Sequence, residues 1–210
     1  RATGVAVTKA TVANIAALKT YDPPIEALKG ATTTGAVRHG KFVDLSADAG
    51  IHLIFHLAKA GWLRWYEMLP TTLIKPGKSP IALRVAFDDD SGFDLTEAGT
   101  KKSLAVYVVR DPEQVPGIER LGPNPLDAEF TREAFGDVLT GRRMQIKGLL
   151  RDQGVIAGIG NAYSDEILHA AKMSPYALAA SLGDDETDRL FTALRATLTD
   201  AVATASGRPP

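Results

Sequence analysis

The stretch QGVIAGIGNAYSDEIL, residues 153–168, places glycines 154, 158 and 160 directly before Asn161 and a helical pattern. Glycine allows sharp backbone turns and leaves the neighbouring N–H groups uncovered. The glycines therefore favour either a tight corner between two helices or a phosphate site made of bare N–H groups at a helix start, and both can hold together. Asn161 suits an N-cap, with Asp165 and Glu166 near the positive end of the helix. A dinucleotide-binding fingerprint is not favoured, because a helical pattern precedes the glycines where that fingerprint needs a strand.

The composition is that of an ordinary globular protein. Of 210 residues, 45% are hydrophobic and 23% are charged, which is close to the average for soluble domains. The chain has no cysteine, so it cannot form disulfides, thiolate zinc sites or cysteine nucleophiles. The formal net charge of −1 argues weakly against a general nucleic-acid binder. With no long apolar run and no signal-peptide pattern, we expect a cytoplasmic protein that does not enter the membrane.

The first part of the chain reads mainly as strands. Short β-branched and aromatic runs recur between residues 34 and 110, and IALRVAF and GFDL alternate on either side of the turn DDDSG, as in a hairpin. The stretch TVANIAALKTY, residues 11–21, is ambiguous between helix and strand. Several antiparallel strands at short spacing predict a β-sandwich domain over residues 1–118.

The later part of the chain is predicted to be helical. Residues 119–129 are rich in proline, glycine and acidic side chains, which indicates an interdomain linker. Beyond them, Thr131 can cap a first helix, and Ile146, Leu149 and Leu150 share one face of the next. The predicted fold class is therefore α+β: an antiparallel sandwich, then an all-helical domain over residues 130–210.

Five sequence motifs resemble the formamidopyrimidine-DNA glycosylase and endonuclease VIII family. QGVIAGIGNAYSDEIL resembles the helix–two-turn–helix of that family. IKGLLRDQ (146–153) is similar to the helix before the turn, and LGPNPL (121–126) to the interdomain segment. RHGKFVDL (38–45) resembles a family strand with an exposed lysine, and HLAKAGWL (56–63) the His-Leu-Gly-Met-Ser-Gly-x-Leu loop.

The resemblance implies a base-excision-repair enzyme that removes a damaged, oxidised base from duplex DNA and nicks the abasic site, with DNA in a cleft between the two domains. In the family an N-terminal proline amine attacks the sugar and forms an imine, beside a glutamate. This chain opens at Arg1, so we expect that Pro-Glu pair to precede Arg1, and we assign no catalytic residue. A catalytically silent relative that only binds damaged or abasic DNA is the alternative. An RNA-binding helix–two-turn–helix module is a third interpretation, which the motifs at 38–63 disfavour.

Three phosphate contacts are implied by the resemblance. Lys41 matches the strand lysine, Lys147 the lysine before the turn, and Asn161, with Gly160 before it, the asparagine at the damaged nucleotide. The alternative interpretations are that the lysine on the strand is only a solvated surface residue and that Asn161 only caps its helix.

The residues that fill the gap left by a flipped base differ from the family pattern. Lys59 stands where the family has methionine. In GTKKSL (99–104), Lys101 stands for an arginine and Ser103 for the aromatic residue, with Lys102 between them. We expect these lysines to hold DNA by charge more than by intercalation. Trp62 and Trp65 can stack on a base, although a strand tryptophan more often lies in the core.

The remaining expectations concern partners and metals. The four histidines form no metal set in the sequence, so no metal site or cofactor is predicted within the chain. The resemblance allows a four-cysteine zinc finger beyond Pro210. We expect a monomer, associated with the nucleoid, whose partner is duplex DNA with a damaged base or an abasic site.

Overall fold

The computed structural model describes residues 1–75, 77 and 79–206. The chain divides into two compact units, Arg1–Glu119 and Arg120–Pro210, which we call the strand unit and the helical unit. The division falls within the predicted linker, 119–129, because residues 120–129 are grouped with the helical unit, where the Arg195 guanidinium donates to the carbonyls of Pro125 and Asp127. The last four residues of the predicted helical domain, 207–210, lie outside the described residues.

Within the described residues, the strand unit contains two four-stranded antiparallel sheets, which confirms the predicted sandwich. The strands of the described residues are β1 (Val7–Val12), β2 (Thr33–His39), β3 (Phe42–Ala47), β4 (Ile51–His56), β5 (Gly61–Tyr66), β6 (Ile81–Phe87), β7 (Gly92–Glu97) and β8 (Ala105–Val109). One sheet has the order β1-β6-β7-β5 and the other β2-β3-β4-β8. Large buried side chains from both sheets, among them Phe55, Leu83 and Phe93, form one apolar core between them.

The hairpin of β6 and β7 forms where the alternating pattern predicts it. Val85 pairs with Phe93 across the two strands, and both side chains are buried. The Phe87 N–H donates to the carbonyl of Ser91 and closes the turn. The ambiguous stretch at 11–21 is split: β1 ends at Val12, and Ile15–Ala17 forms a single 3-10 turn. Neither a full helix nor a full strand occupies it.

The helical unit contains four α-helices within the described residues, which confirms the second half of the predicted fold class. They are α1 (Arg132–Leu139), α2 (Ile146–Arg151), α3 (Asn161–Ala170) and α4 (Asp184–Ser206). The Thr131 hydroxyl accepts the Ala134 N–H at 3.2 Å, so the predicted cap of α1 is confirmed. Ile146, Leu149 and Leu150 are fully buried, as the predicted apolar face of α2 requires. Across the described stretches of the chain, no helix is both long and apolar enough to cross a membrane.

Candidate functional site

The glycine-rich turn between α2 and α3 is closed by the side chain of Gln153. Its Nε2 donates to the carbonyl of Ile159 at 2.8 Å, and its Oε1 accepts the Gly158 N–H at 2.9 Å. Gly158 has a φ of +93°, a conformation that side chains other than glycine disfavour. The glycines therefore do form the tight corner predicted from the sequence.

The LGPNPL segment braces this turn from the side. The Gly122 N–H donates to the carbonyl of Gln153 at 2.8 Å, and the carbonyl of Pro123 accepts the Ala157 N–H at 3.0 Å. A Cβ on Gly122 would lie 2.6 Å from the backbone of Val155, so only glycine allows the two segments to approach this closely. Contacts within the chain thus fix the shape of the turn.

The start of α3 differs from the prediction by one residue. Gly160 is the N-cap, and Asn161 is the first helical residue, so the prediction that Asn161 caps the helix is wrong. The predicted acids near the positive end are also misplaced: the first turn contains no acidic residue, because Asp165 and Glu166 lie in the second turn. The cause is the extended backbone of Gly160, which already occupies the cap position.

This placement leaves the Asn161 amide open to solvent. Asn161 is exposed, and within the described residues its side chain makes no hydrogen bond. The backbone N–H groups of Asn161, Ala162 and Tyr163 likewise have no acceptor in the part of the chain that the structure describes. Unsatisfied N–H groups at the positive end of a helix, beside a side-chain amide donor, suit an anionic oxygen.

Lys147 lies beside this helix start. Its Nζ is 2.6 Å from Oδ1 of Asp165, and the two side chains are 27% and 52% exposed. Asp165 is one helical turn after Asn161, so the two residues share a face of α3. The structure therefore brings Lys147 and Asn161, both predicted site residues, to the same side of the helical unit.

In the strand unit, Lys41 lies in a turn and not in a strand. β2 ends at His39 and β3 begins at Phe42, so Gly40 and Lys41 form a two-residue hairpin turn. The φ of +57° at Gly40 is the value that such a turn requires. The predicted strand position is wrong because His39 and Phe42 are the last paired residues of the two strands, which leaves Lys41 in the turn between them.

His56 is a candidate that the sequence prediction missed. Its ring packs on Phe42 at a centroid distance of 4.9 Å, and its Nδ1 accepts the Ala58 N–H at 3.1 Å. Burial, and next the charge of Lys41, hold the pKa of His56 below its usual value. The neutral ring then carries its hydrogen on Nε2, where it can donate to an anionic oxygen. HLAKAGWL contains this histidine, but only the folded hairpin shows that it adjoins Lys41.

The three lysines predicted at the lesion gap lie on two joined loops. Lys59 is in the turn between β4 and β5, and Lys101 and Lys102 are in the loop between β7 and β8. The Ala98 N–H donates to the carbonyl of Ala60 at 3.0 Å, which ties the two loops together. All three lysines are exposed. Their predicted contact with DNA stays a prediction.

Glu97 organises the second of these loops. It is 2% exposed, and its Oε1 accepts the N–H groups of Ser103 and Leu104 at 2.6 and 3.0 Å. The Lys102 Nζ donates to the Glu97 carbonyl at 2.5 Å. Lys102 is therefore partly engaged within the loop, whereas Lys59 and Lys101 make no ion pair among the described residues.

Two histidines of one sheet, His39 and His52, bind a buried carboxylate. Asp44 accepts from His39 Nε2 at 3.1 Å and from His52 Nδ1 at 2.9 Å. Among the described residues, no group of three or more histidine, cysteine or acidic side chains is arranged to hold a metal ion.

Two protein-family models together match most of the chain. Residues 1–106 match the family model described as the formamidopyrimidine-DNA glycosylase N-terminal domain, and residues 121–208 match the model of its H2TH domain. The chain is 36% identical over 180 residues to a formamidopyrimidine-DNA glycosylase of Moorella thermoacetica, which covers 84% of this chain and 62% of that relative. It is 32% identical over 208 residues to the corresponding protein of Sphingopyxis alaskensis, with 90% and 71% covered. The chain thus spans less than two thirds of the length of the Moorella relative.

Two solved structures have the same fold. The MutM (Fpg) protein of Thermus thermophilus is 28% identical, has a TM-score of 0.79, and is matched over 96% of this chain and 70% of its own. The Lactococcus lactis formamidopyrimidine-DNA glycosylase, solved non-covalently bound to DNA with an AP site, has a TM-score of 0.84 over 97% and 76% of the chains. Its identity of 23% supports the fold alone.

Proposed function

The chain belongs to the formamidopyrimidine-DNA glycosylase family, and we propose that it forms the DNA-binding body of a base-excision-repair glycosylase with abasic-site lyase activity. The substrate proposed is duplex DNA that contains an oxidised base or an abasic site. The family membership supports this function, and the geometry around α3 supports it independently.

The observation that carries the proposal is the open donor set at the start of α3. The side-chain amide of Asn161 is exposed to solvent, beside the backbone N–H groups of Asn161, Ala162 and Tyr163. None of these donors has an acceptor among the described residues. Such a set binds a phosphate and gives little information about sequence. A repair enzyme needs this property, because damaged bases occur in any sequence.

The other basic groups add contacts of the same kind. Lys147 and the hairpin residue Lys41 supply charge, and His56 supplies a neutral N–H donor to a backbone phosphate. Lys59, Lys101 and Lys102 are proposed to neutralise phosphates beside the gap that a flipped nucleotide leaves. Flipping costs a few kcal/mol, and contacts that form only with the flipped state offset this cost.

The proposed chemistry is amine catalysis. A nucleophilic amine attacks the C1′ of the damaged nucleotide and displaces the base, the C1′–O4′ bond then breaks to give an imine, and the imine acidifies the C2′ hydrogen so that the 3′ phosphate is eliminated. We assign no nucleophile within residues 1–210; a preceding Pro-Glu pair stays a prediction. The residues of this chain do not fit a four-cysteine zinc centre, because they include no cysteine, and no step is derived through zinc. A cytoplasmic, nucleoid-associated monomer remains part of the proposal.

The test is borohydride trapping with the gene product in its full genomic length. Duplex DNA with an abasic site or an oxidised base is incubated with the protein and borohydride, and covalent complex and nicked strand are quantified. The proposal expects both products. Tight binding to the abasic duplex without trapping or nicking would contradict the enzymatic function and support the silent relative.

A further inference from the structure

We infer that Trp62 stacks on an unpaired nucleobase of bound DNA; this inference rests on the proposed function. The chain has two tryptophans, and their environments are opposite. Trp65 lies nearly parallel to Phe93, with ring centroids 6.5 Å apart, and also packs on Phe87 at 5.8 Å. Trp62 is 45% exposed. The aromatic surface of Trp65 is used within the fold, whereas much of that of Trp62 is open.

The position of Trp62 is fixed by the sheet. It pairs with Thr96 of β7, which is buried, and β5 is an edge strand of its sheet. Arg64 and Tyr66 follow on the same face by alternation, and the Arg64 guanidinium lies over the Tyr66 ring at 5.0 Å. Arg64 is thus engaged by another ring.

The turn before Trp62 is rigid. A Cβ on Gly61 would lie 2.2 Å from the Leu57 carbonyl oxygen and 3.2 Å from Leu104 Cδ1. Position 61 therefore admits only glycine, and the close packing holds the start of β5 in place. A stacking residue on a fixed strand loses little conformational entropy when it binds.

The positive charges near Trp62 favour nucleic acid as the molecule that binds there. Lys59 lies three residues before Trp62, and the hydrogen bond between Ala98 and Ala60 brings the loop with Lys101 alongside. Both lysines are exposed and make no ion pair among the described residues. An exposed aromatic ring with cations in the adjoining loops is the arrangement by which proteins bind unpaired bases without sequence preference, because every base has a π-face. An apolar protein partner would instead require apolar neighbours.

The two tryptophans make the inference directly testable. In Trp65→Phe the emission reports Trp62 alone, and in Trp62→Phe it reports Trp65 alone. Each variant is titrated with a dye-labelled duplex that contains an abasic-site analogue, and dye anisotropy follows binding independently. We expect quenching that saturates with binding in Trp65→Phe and unchanged emission in Trp62→Phe.

The affinity of Trp62→Ala for the same duplex gives a second measure. We expect a loss of about 5- to 150-fold, the range that base–aromatic stacking gives on alanine substitution. Tyr21→Ala, which removes another exposed aromatic ring, is the matched control and should bind as the unsubstituted chain does. Binding of Trp65→Phe with unchanged emission would overturn the inference and leave the proposed function intact. Equal affinity of the unsubstituted chain for intact and abasic duplex would instead overturn the proposed function and the inference with it.

Discussion

Lys147 and Asp165 form an ion pair, with Nζ 2.6 Å from Oδ1, that joins α2 to α3 beside the open donors of Asn161. A partly exposed pair of this kind contributes at most about 1 kcal/mol to stability. Its more important effect is on binding, because the Asp165 carboxylate competes with any phosphate for the Lys147 ammonium.

Asp165→Asn should therefore strengthen DNA binding. The freed Lys147 neutralises one more phosphate, which steepens the dependence of log K on log salt by about 0.9. In the Asp165→Asn background, Lys147→Ala should remove this increase in slope. Asp185→Asn, on α4, makes the same change in net charge and serves as the control. Equal effects of Asp165→Asn and Asp185→Asn would show that only net charge matters.

Asn161→Asp should separate binding from stability. A carboxylate in the first turn of α3 interacts favourably with the helix dipole, by about 0.3–1 kcal/mol, so thermal unfolding should shift upward slightly. The same carboxylate repels a phosphate, so affinity for abasic DNA should fall. Asn161→Ala should weaken binding by about 1–3 kcal/mol with little effect on unfolding, since the amide caps nothing. A drop in melting temperature that parallels the loss of binding would contradict this account.

Gly158→Ala should destabilise the helical unit. At a φ of +93°, an alanine costs about 1 kcal/mol or more. Gly148→Ala is the matched control: a Cβ there meets only Met144 Cε at an ordinary 3.5 Å, and alanine inside a helix gains about 0.5–1 kcal/mol. In urea denaturation, Gly158→Ala should therefore lower the free energy of unfolding and Gly148→Ala should raise it. Destabilisation by both substitutions would argue against the role assigned to the turn.

The lowered pKa of His56 predicts a pH dependence of stability. Below its usual pKa of 6.5, the unfolded chain takes up a proton that the folded chain accepts only at lower pH. The His56 contribution to the free energy of unfolding therefore decreases as pH falls from 6.5 through the folded pKa, and it is constant above 6.5.

Urea denaturation of His56→Asn at about pH 7.5 and about pH 5.5 isolates this contribution. Asparagine can still accept the Ala58 N–H but does not titrate, so the variant should lose less stability between the two pH values. His169→Asn, which replaces an exposed histidine, is the control and should behave as the unsubstituted chain. Identical pH profiles for His56→Asn and the unsubstituted chain would rule out the effect.

Local features were the ones that the sequence predicted well. The Thr131 cap and the hairpin around DDDSG depend on residues that are close in sequence. The cap of α3 was misplaced by one residue because Gln153, well upstream of the helix start, closes the turn and leaves Gly160 extended.

The contacts that matter most for the site are long-range. Nothing in the spacing of Lys147 and Asp165 shows that their side chains meet, since they lie on different helices. The proximity of His56 to Lys41 likewise depends on the pairing of β3 with β4, and the contrast between Trp62 and Trp65 depends on which face of β5 the second sheet covers.

A competition measurement of affinity for two duplexes of one sequence, one intact and one with an abasic-site analogue, tests the recognition of damaged DNA directly. We expect the chain to prefer the abasic duplex by at least about tenfold at physiological salt, and Asn161→Ala to weaken binding to it. Equal affinity for both duplexes would contradict the proposed recognition of damaged DNA, and binding to the abasic duplex that Asn161→Ala leaves unchanged would contradict the proposed phosphate site at the start of α3.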